Sequence, residues 1–332
     1  YLVSGNQESL PFTPERTLVW SGDTKLLLAV IKSIEDQLNC IRDTKLAAIR
    51  VIIFVEDSPD YLSSLLPLLY QELVGQTQAV MEEGLNHEHR LLAMRARPKI
   101  LIAQSFEEAK NLFDTFEPYV LAVISDVRFP RAGKLDGEAG IQLLKTIHNN
   151  RFDIPLLLAS SEPDNRSKAT TIPAEFVDKN SPNLHEGAHS FFLHKLGFGP
   201  FLFEQSEKGT IISANNLFSL EQGLRHMSDR VFYNHWINND FSRWLFTRAE
   251  TLLATELRSV TKEDFNDDLT EMRKFLYRTF HEWRLQRQKG VLVEFDEDDF
   301  EPETEFVKIG GGSLGGKARG LAFFSSWLDE HQ

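Results

Sequence analysis

The chain has 332 residues, 42% of them hydrophobic and 26% charged, with one cysteine and a formal net charge of −13. At about 100–200 residues per domain this is two or three domains with ample core, and the composition excludes a disordered chain. The lone cysteine, the acidic balance and the lack of any apolar run near the ~18–20 residues of a membrane span exclude disulfide scaffolds, DNA reading and membrane spanning, and point to a cytoplasmic location.

The first residue is Tyr1 with no basic-then-apolar leader behind it, and Gln332 falls just inside a glycine-led segment. Both ends predict a piece of a longer protein. Residues 1–4 and 17–20 read as short strands, followed by a helix capped at Asp23 or Thr24. Its apolar positions Leu27, Val30, Ile31, Ile34 and Leu38 recur at helical spacing. A unit this small, covering 1–45, reads as the tail of an α/β domain.

From residue 49 the pattern becomes regular. Val51 to Val55 form a continuous apolar run ending in acids, as a strand buried on both faces should. A long helical stretch follows over 59–94. A second strand spans 99–103, and Ser105 with Glu108 makes a capping box for the next helix. Strands over 120–125, 155–159 and 175–177 alternate with helices over 137–148, 162–170 and 184–196. Strands alternating with helices in this way give an α/β fold: a doubly wound parallel sheet whose ligands bind beyond the carboxyl ends of its strands.

Past Gly197 the pattern changes. A hairpin over 201–203 and 210–213 precedes two long helical segments, 217–258 and 262–288, so 198–293 reads as a mainly helical connector domain. His235 sits there among aromatic side chains, where packing or capping is a better account than phosphohistidine chemistry. Residues 294–305 hold eight acids and no base, which reads as a solvated linker, with the basic helix over 273–289 as its counterpart in charge.

The chemistry lies at the strand ends. Glu56 and Asp57 close the first buried strand, Asp126 the third, Ser160 the fourth and Lys179 the fifth. In a doubly wound sheet these ends converge on one crevice. Three carboxylates together repel one another and call for a hard divalent cation such as Mg²⁺. A lysine and a hydroxyl supply the positive charge and the donor that a phosphoryl group needs, and a carboxylate beside the cation is a nucleophile toward phosphorus.

Over 49–197 this arrangement resembles the receiver domain of two-component response regulators. Pro130 stands four after Asp126, Ser160 five after Pro155 with Ser161 next, and Phe176 three before Lys179, as in that family. The resemblance implies a flavodoxin-like five-stranded sheet of order 2-1-3-4-5 and Asp126 as phosphoacceptor. It implies Mg²⁺ held by Glu56, Asp57, Asp126 and the Arg128 carbonyl, with Ser160 and Lys179 as phosphoryl ligands and Ser160 and Phe176 as the switch. A sensor histidine kinase or phosphotransfer protein is the implied partner, and a homodimer the oligomer such modules form.

There are departures. Asp57 and Asp126 are sixty-nine residues apart through an insertion near 75–97, Gly137 arrives late so that the loop after Asp126 is enlarged, and Lys179 is followed by Asn180-Ser181-Pro182. Arg128 and Glu162, each two residues past a site residue, should overhang the phosphoryl site, either as a salt bridge that would hinder the attacking water or as two solvated loop charges, worth about 0–1 kcal/mol as an exposed pair. By the same comparison 1–45 resembles the end of a degenerate receiver, with Trp20-Ser21-Gly22 where the lysine should be.

Gly311 to Lys317 has P-loop spacing, but Ala318 replaces the Ser/Thr that would hold Mg²⁺. The run Gly315-Gly316-Lys317-Ala318-Arg319-Gly320 instead resembles the opening of the nucleotide-binding domain of pyruvate phosphate dikinase and phosphoenolpyruvate synthase, over 306–332. It implies ATP binding at Gly315, Gly316 and Lys317 only with a further C-terminal region, and an intramolecular phosphotransferase domain as the regulated partner. Two other readings stand beside this one. A non-phosphorylated interaction module keeps the acidic cluster as a relic. An aspartyl-phosphate phosphatase is disfavoured by Arg128 where its second Asp would stand.

Overall fold

The computed structural model describes residues 2–3, 16–82, 96–205, 210–288, 292–295, 306–309, 315–317, 320–321 and 324. The chain divides into two compact units, 1–78 with 96–198, and 79–95 with 199–332.

The first unit is built on a five-stranded parallel sheet of order β4-β3-β5-β8-β9. Its strands are β3 (Val51–Val55), β4 (Lys99–Ala103), β5 (Val120–Ser125), β8 (Leu156–Ser160) and β9 (Ala174–Asp178). In chain order this is 2-1-3-4-5, the order that the resemblance implies. Every residue of β3, β5 and β8 is buried, because helices cover both faces and leave no polar side to the strand. Those helices include α2 (Pro59–Glu82), α3 (Phe106–Phe116), α4 (Ala139–Asn150), the short α5 (Arg166–Ala169) and α6 (Leu184–Ser190). Ser105 caps α3 as expected, its Oγ accepting the Glu108 N–H at 3.2 Å. The remaining part of the 59–94 helix, 83–95, lies outside the described residues.

Two strands of two residues, β1 (Leu2–Val3) and β2 (Leu18–Val19), pair in parallel. Helix α1 (Thr24–Ala47) starts at Asp23, whose side chain accepts the Lys25 N–H at 2.9 Å. The face it buries differs from the expected one. Leu27, Ile31, Ile34 and Leu38 are exposed, while Leu26, Ala29, Asp36, Cys40 and Thr44 are buried. Asp36 supplies the reason. One of its oxygens accepts the Ile100 N–H of β4 and the Tyr70 hydroxyl, both at 2.9 Å, and Arg97 binds the carboxylate through two nitrogens. These bonds fix the helix's rotation against the edge strand, and the small Ala29 and Cys40 allow the close approach.

The enlarged loop after Asp126 is a hairpin of β6 (Phe129–Arg131) and β7 (Lys134–Asp136), antiparallel. Ala132 and Gly133 turn it with φ of 50° and 73°, the two positive angles that a tight two-residue hairpin turn requires.

In the second unit β10 (Phe201–Glu204) pairs antiparallel with β11 (Ile211–Ala214), the expected hairpin. The segment 217–258 is not one long helix. It divides into α7 (Leu217–Gly223), α8 (Asp229–Ile237), α9 (Asp240–Thr247) and α10 (Thr251–Ser259). Ser228 starts a new cap, and Asn239 and Ala249 adopt left-handed φ of 55° and 61°, which no continuous helix tolerates. α11 (Leu269–Gln288) then packs on the group through Met272, Leu276 and Phe280, against Phe232, Trp244 and Leu245.

His235 is a packed side chain here. Its Nδ1 lies 2.7 Å from an Asp240 carboxylate oxygen, and its ring centroid is 4.9 Å from that of Phe201. The bases Arg273, Lys274, Arg284 and Arg287 pair with Asp229, Glu271, Glu221 and Glu250. The acidic segment 296–305 lies outside the described residues. β12 (Leu292–Glu294) and β13 (Phe306–Lys308) pair in parallel. Of the glycine-led run, 310–314 also lie outside the described residues, and Gly315, Gly316 and Lys317 are exposed.

Candidate functional site

Backbone hydrogen bonds extend past the strand ends and set the site. The Glu56 N–H donates to the Ala103 carbonyl at 3.0 Å and the Asp126 N–H to that of Val55 at 2.9 Å; the Lys179 N–H donates to the Ser160 carbonyl at 2.8 Å. The ladder thereby fixes these residues side by side before any side chain is considered.

The side chains meet as the strand-end reading expects. The Lys179 ammonium, with 1% of its side chain exposed, lies 2.5 Å from a Glu56 oxygen and 3.0 Å from Asp126 Oδ2. Its other neighbour is the Tyr61 ring, whose centroid is 4.4 Å from Nζ. Carboxylate oxygens of Glu56, Asp57 and Asp126 all lie within 4.8 Å of one another. Asp126 Oδ1 accepts the Val127 N–H at 2.7 Å, so each oxygen of the central carboxylate has a donor.

One ammonium among three carboxylates leaves excess negative charge. Burial pushes the Glu56 carboxyl up to about 7, with the Lys179 charge pulling down and Asp126 adding to the rise. Asp57 is also held above its ordinary value, by burial first and by Asp126 second. A hard divalent cation would relieve this repulsion. Three oxygen donors of this type fit Mg²⁺ and fit softer ions less well.

Ser160 is buried, and its Oγ accepts the Glu162 N–H at 3.1 Å and the Asn165 amide N–H at 3.0 Å. Its own proton therefore remains to be donated. Phe176 on β9 is half-buried against the core, with the Arg166 guanidinium 4.7 Å above its ring. Arg128 is exposed in the loop between β5 and β6. Among the described residues no ion pair joins it to Glu162, in line with the reading of two separate loop charges. The Glu162 carboxylate instead accepts from Asn165 at 3.4 Å, which keeps it over its own 3₁₀ turn.

Three contributors were missed in the sequence. Tyr61 is one; four residues after Asp57, it faces the site from the first turn of α2, and its hydroxyl also donates to Asn180 at 3.3 Å. Asn165 is another, holding Ser160 from the turn after β8. The third is Gly140. A Cβ there would fall 1.9 Å from the Asp126 carbonyl oxygen, so only glycine lets α4 approach the strand end that carries Asp126. The late Gly137 drew attention in the sequence, whereas the close approach is three residues further on.

No protein-family model matches the chain, and no curated protein does. Among solved structures, a response regulator receiver domain protein from Clostridium thermocellum is similar over 42% of this chain and 92% of its own, at 16% identity and a TM-score of 0.30.

Proposed function

We propose that the chain is a signalling receiver module that accepts a phosphoryl group on Asp126. The observation that carries this reading is the buried Lys179 ammonium bonded at once to Glu56 and Asp126, with Asp57 beside them. A purely structural ion pair needs one carboxylate. Three carboxylates beside one ammonium leave excess negative charge, which a divalent cation would neutralise, and a phosphoryl group would then be held by that cation and Lys179.

An Asp126 carboxylate oxygen attacks the phosphorus of a phosphohistidine or small acyl phosphate in line. The bond from phosphorus to the donor nitrogen or oxygen breaks, and its electron pair leaves with the donor. Glu56, Asp57, Asp126 and the Arg128 carbonyl would hold Mg²⁺, which supplies neutralisation of the phosphoryl charge when bound. Lys179 then pairs with a phosphoryl oxygen in place of the Asp126 oxygen it now contacts, and Ser160 donates its hydroxyl proton to another. As Ser160 turns toward the phosphoryl group, Phe176 turns in behind it from under Arg166.

A sensor histidine kinase or phosphotransfer protein is the donor class this chemistry implies. The Gly315-Gly316-Lys317 turn supports a further step, regulation through the helical connector of a phosphoenolpyruvate/pyruvate-type phosphotransferase that binds ATP only with additional chain. The cytoplasm is the compartment that suits such a partner.

Intact mass after incubation with acetyl phosphate and Mg²⁺ tests the central step. One added phosphoryl group on the wild type and none on Asp126→Asn is the expected result. No adduct on the wild type in the presence of bound Mg²⁺ would replace this reading with that of a non-phosphorylated docking module.

A further inference from the structure

Tyr61 and Asn180 stand beside the phosphoryl site and have no part in the chemistry described so far. Lys179 is where they meet it. An ammonium has three N–H donors and no acceptor. At Lys179 two of them have carboxylate partners, a Glu56 oxygen at 2.5 Å and Asp126 Oδ2 at 3.0 Å. With 1% of the side chain exposed, bulk water does not serve the third. The face of the Tyr61 ring does, its centroid 4.4 Å from Nζ. The ring is itself moored. Its hydroxyl donates to Asn180 Oδ1 at 3.3 Å, and the Asn180 side-chain nitrogen donates to the Ser161 carbonyl at 3.2 Å. The Asn180 N–H donates to Asp178 Oδ1 at 2.9 Å. One amide side chain thereby ties the first turn of α2 to the ends of β8 and β9, the strands that lead to Ser160 and Lys179.

We propose that Tyr61 is a positioning residue for phosphoryl transfer to Asp126, holding the Lys179 ammonium through the face of its ring, with Asn180 fixing the ring. This role rests on the receiver reading above. The need for it lies in the exchange of partners that transfer requires. Lys179 gives up its Asp126 oxygen for a phosphoryl oxygen, and a lysine is a point charge on a flexible four-carbon stem. Glu56 alone would draw that charge to its own side. The ring supplies a second fixed point, and cation–π attraction is strongest where, as here, the cation is desolvated.

The kind of partner matters. A carboxylate in place of the ring would add a fourth acid to a cluster that already carries excess negative charge, and would repel the incoming phosphoryl oxygens. An amide or hydroxyl oxygen would take a directed hydrogen bond and hold Nζ in one orientation. A ring face carries no net charge and attracts a cation anywhere within about 6 Å of its centroid. At 4.4 Å the ammonium has room to shift toward a phosphoryl group and remain held. An aliphatic side chain of similar bulk would fill the same space and leave the third N–H without a partner, which costs the buried donor its desolvation.

The test has two arms, both on the full chain and at a temperature where thermal melts show every variant folded. The first uses no phosphoryl donor. NMR of the chain labelled with ¹³C at lysine Cε reads the Lys179 methylene, identified by its loss in Lys179→Arg. A methylene next to a ring face is expected upfield of the other lysines in the wild type and in Tyr61→Phe, and at their ordinary position in Tyr61→Leu. The second arm follows acetyl-phosphate labelling of Asp126 by intact mass at saturating Mg²⁺. Tyr61→Leu should slow labelling about tenfold. Tyr61→Phe, which keeps the ring face, should recover most of that loss, and Asn180→Ala, which frees the far end of the ring, should slow labelling about threefold. A side chain that only packs is replaced by leucine without loss of rate, so equal labelling of the wild type and Tyr61→Leu would overturn the proposal. So would a Lys179 signal that Tyr61→Leu leaves unmoved, or a Tyr61→Phe variant as slow as Tyr61→Leu. Absence of labelling in the wild type would remove the receiver reading and this role with it, and the first arm tells that failure from a ring that never meets the ammonium.

Discussion

At Glu56 the charge of the site becomes measurable. The folded carboxyl holds its proton to about pH 7, against an ordinary value of 4.5, because it is fully buried and beside Asp126. Between those two values the folded state binds more protons than the unfolded state, so stability must fall as pH rises. The contribution is complete below pH 4.5 and is lost as pH passes through 7. By linkage it is on the order of 3 kcal/mol. Without divalent ions, urea midpoints should therefore decline from pH 5 to pH 8, Glu56→Gln should flatten most of the decline, and Mg²⁺ should offset it at pH 8. A midpoint that rises over the same range would mean that Lys179 already neutralises the cluster. The participants at this scale were legible in the sequence because each ends a buried apolar run, and parallel pairing can only bring such ends together. Tyr61 and Asn165 were not, because each acts from a turn whose direction depends on the loop around it. Nor was the fate of Glu162, whose carboxylate is held by Asn165 of its own turn.

At the scale of elements, alternation gave the parallel sheet, since continuous apolar runs of five or six residues between helical stretches pack with helices on both faces. Its strand order came from the resemblance alone, because alternation leaves more than one doubly wound order open. Helix α1 misled for an equally physical reason. An aspartate in mid-helix reads as solvent-facing, and the stripe from Leu27 to Leu38 reads as core. Asp36 reverses both by accepting bonds from Tyr70, Arg97 and the β4 backbone. The contact of α4 with β5 carries a prediction of its own. Gly140→Ala drives a methyl group into the Asp126 carbonyl oxygen, which is backbone and has little room to give. Relief requires α4 to retreat or the acceptor loop to tilt. Destabilisation of about 1–3 kcal/mol is expected, with acetyl-phosphate labelling of Asp126 slowed even under conditions where the variant stays folded. Gly137→Ala, whose Cβ would meet nothing within 4 Å, is the control. Equal losses in the two variants would show that backbone freedom, and not close approach, explains the glycines.

Across the whole molecule, among the described residues each compact unit has a hydrophobic cluster of its own, one around the parallel sheet and one around Phe232, Trp244 and Phe280. Glu56, Asp57, Asp126, Ser160 and Lys179, the residues proposed to hold a cation and a phosphoryl group, belong to the first unit. Tryptophans 236, 244 and 283 belong to the second unit, whereas Trp20 is in the first. Tryptophan fluorescence therefore reports chiefly on the helical unit, while calorimetry sees both. A ligand that binds only the folded sheet unit at a hundred times its dissociation constant stabilises that unit by about 2.7 kcal/mol. For a domain of this size this raises its melting temperature by roughly 5–10 °C. Separate cores predict that Mg²⁺ moves one calorimetric transition by this amount and leaves the fluorescence transition in place. Regulation of anything beyond the helical unit requires more, because a signal is a coupling free energy between the phosphoryl site and a distant surface. Adding a phosphoryl mimic such as beryllofluoride to the Mg²⁺ form supplies the test of that coupling. If the fluorescence transition then shifts with the calorimetric one, the helical unit senses Asp126 and acts as a connector. If it stays, the two units are energetically independent in this chain, and any output of the phosphoryl site must leave through the surface of the sheet unit itself.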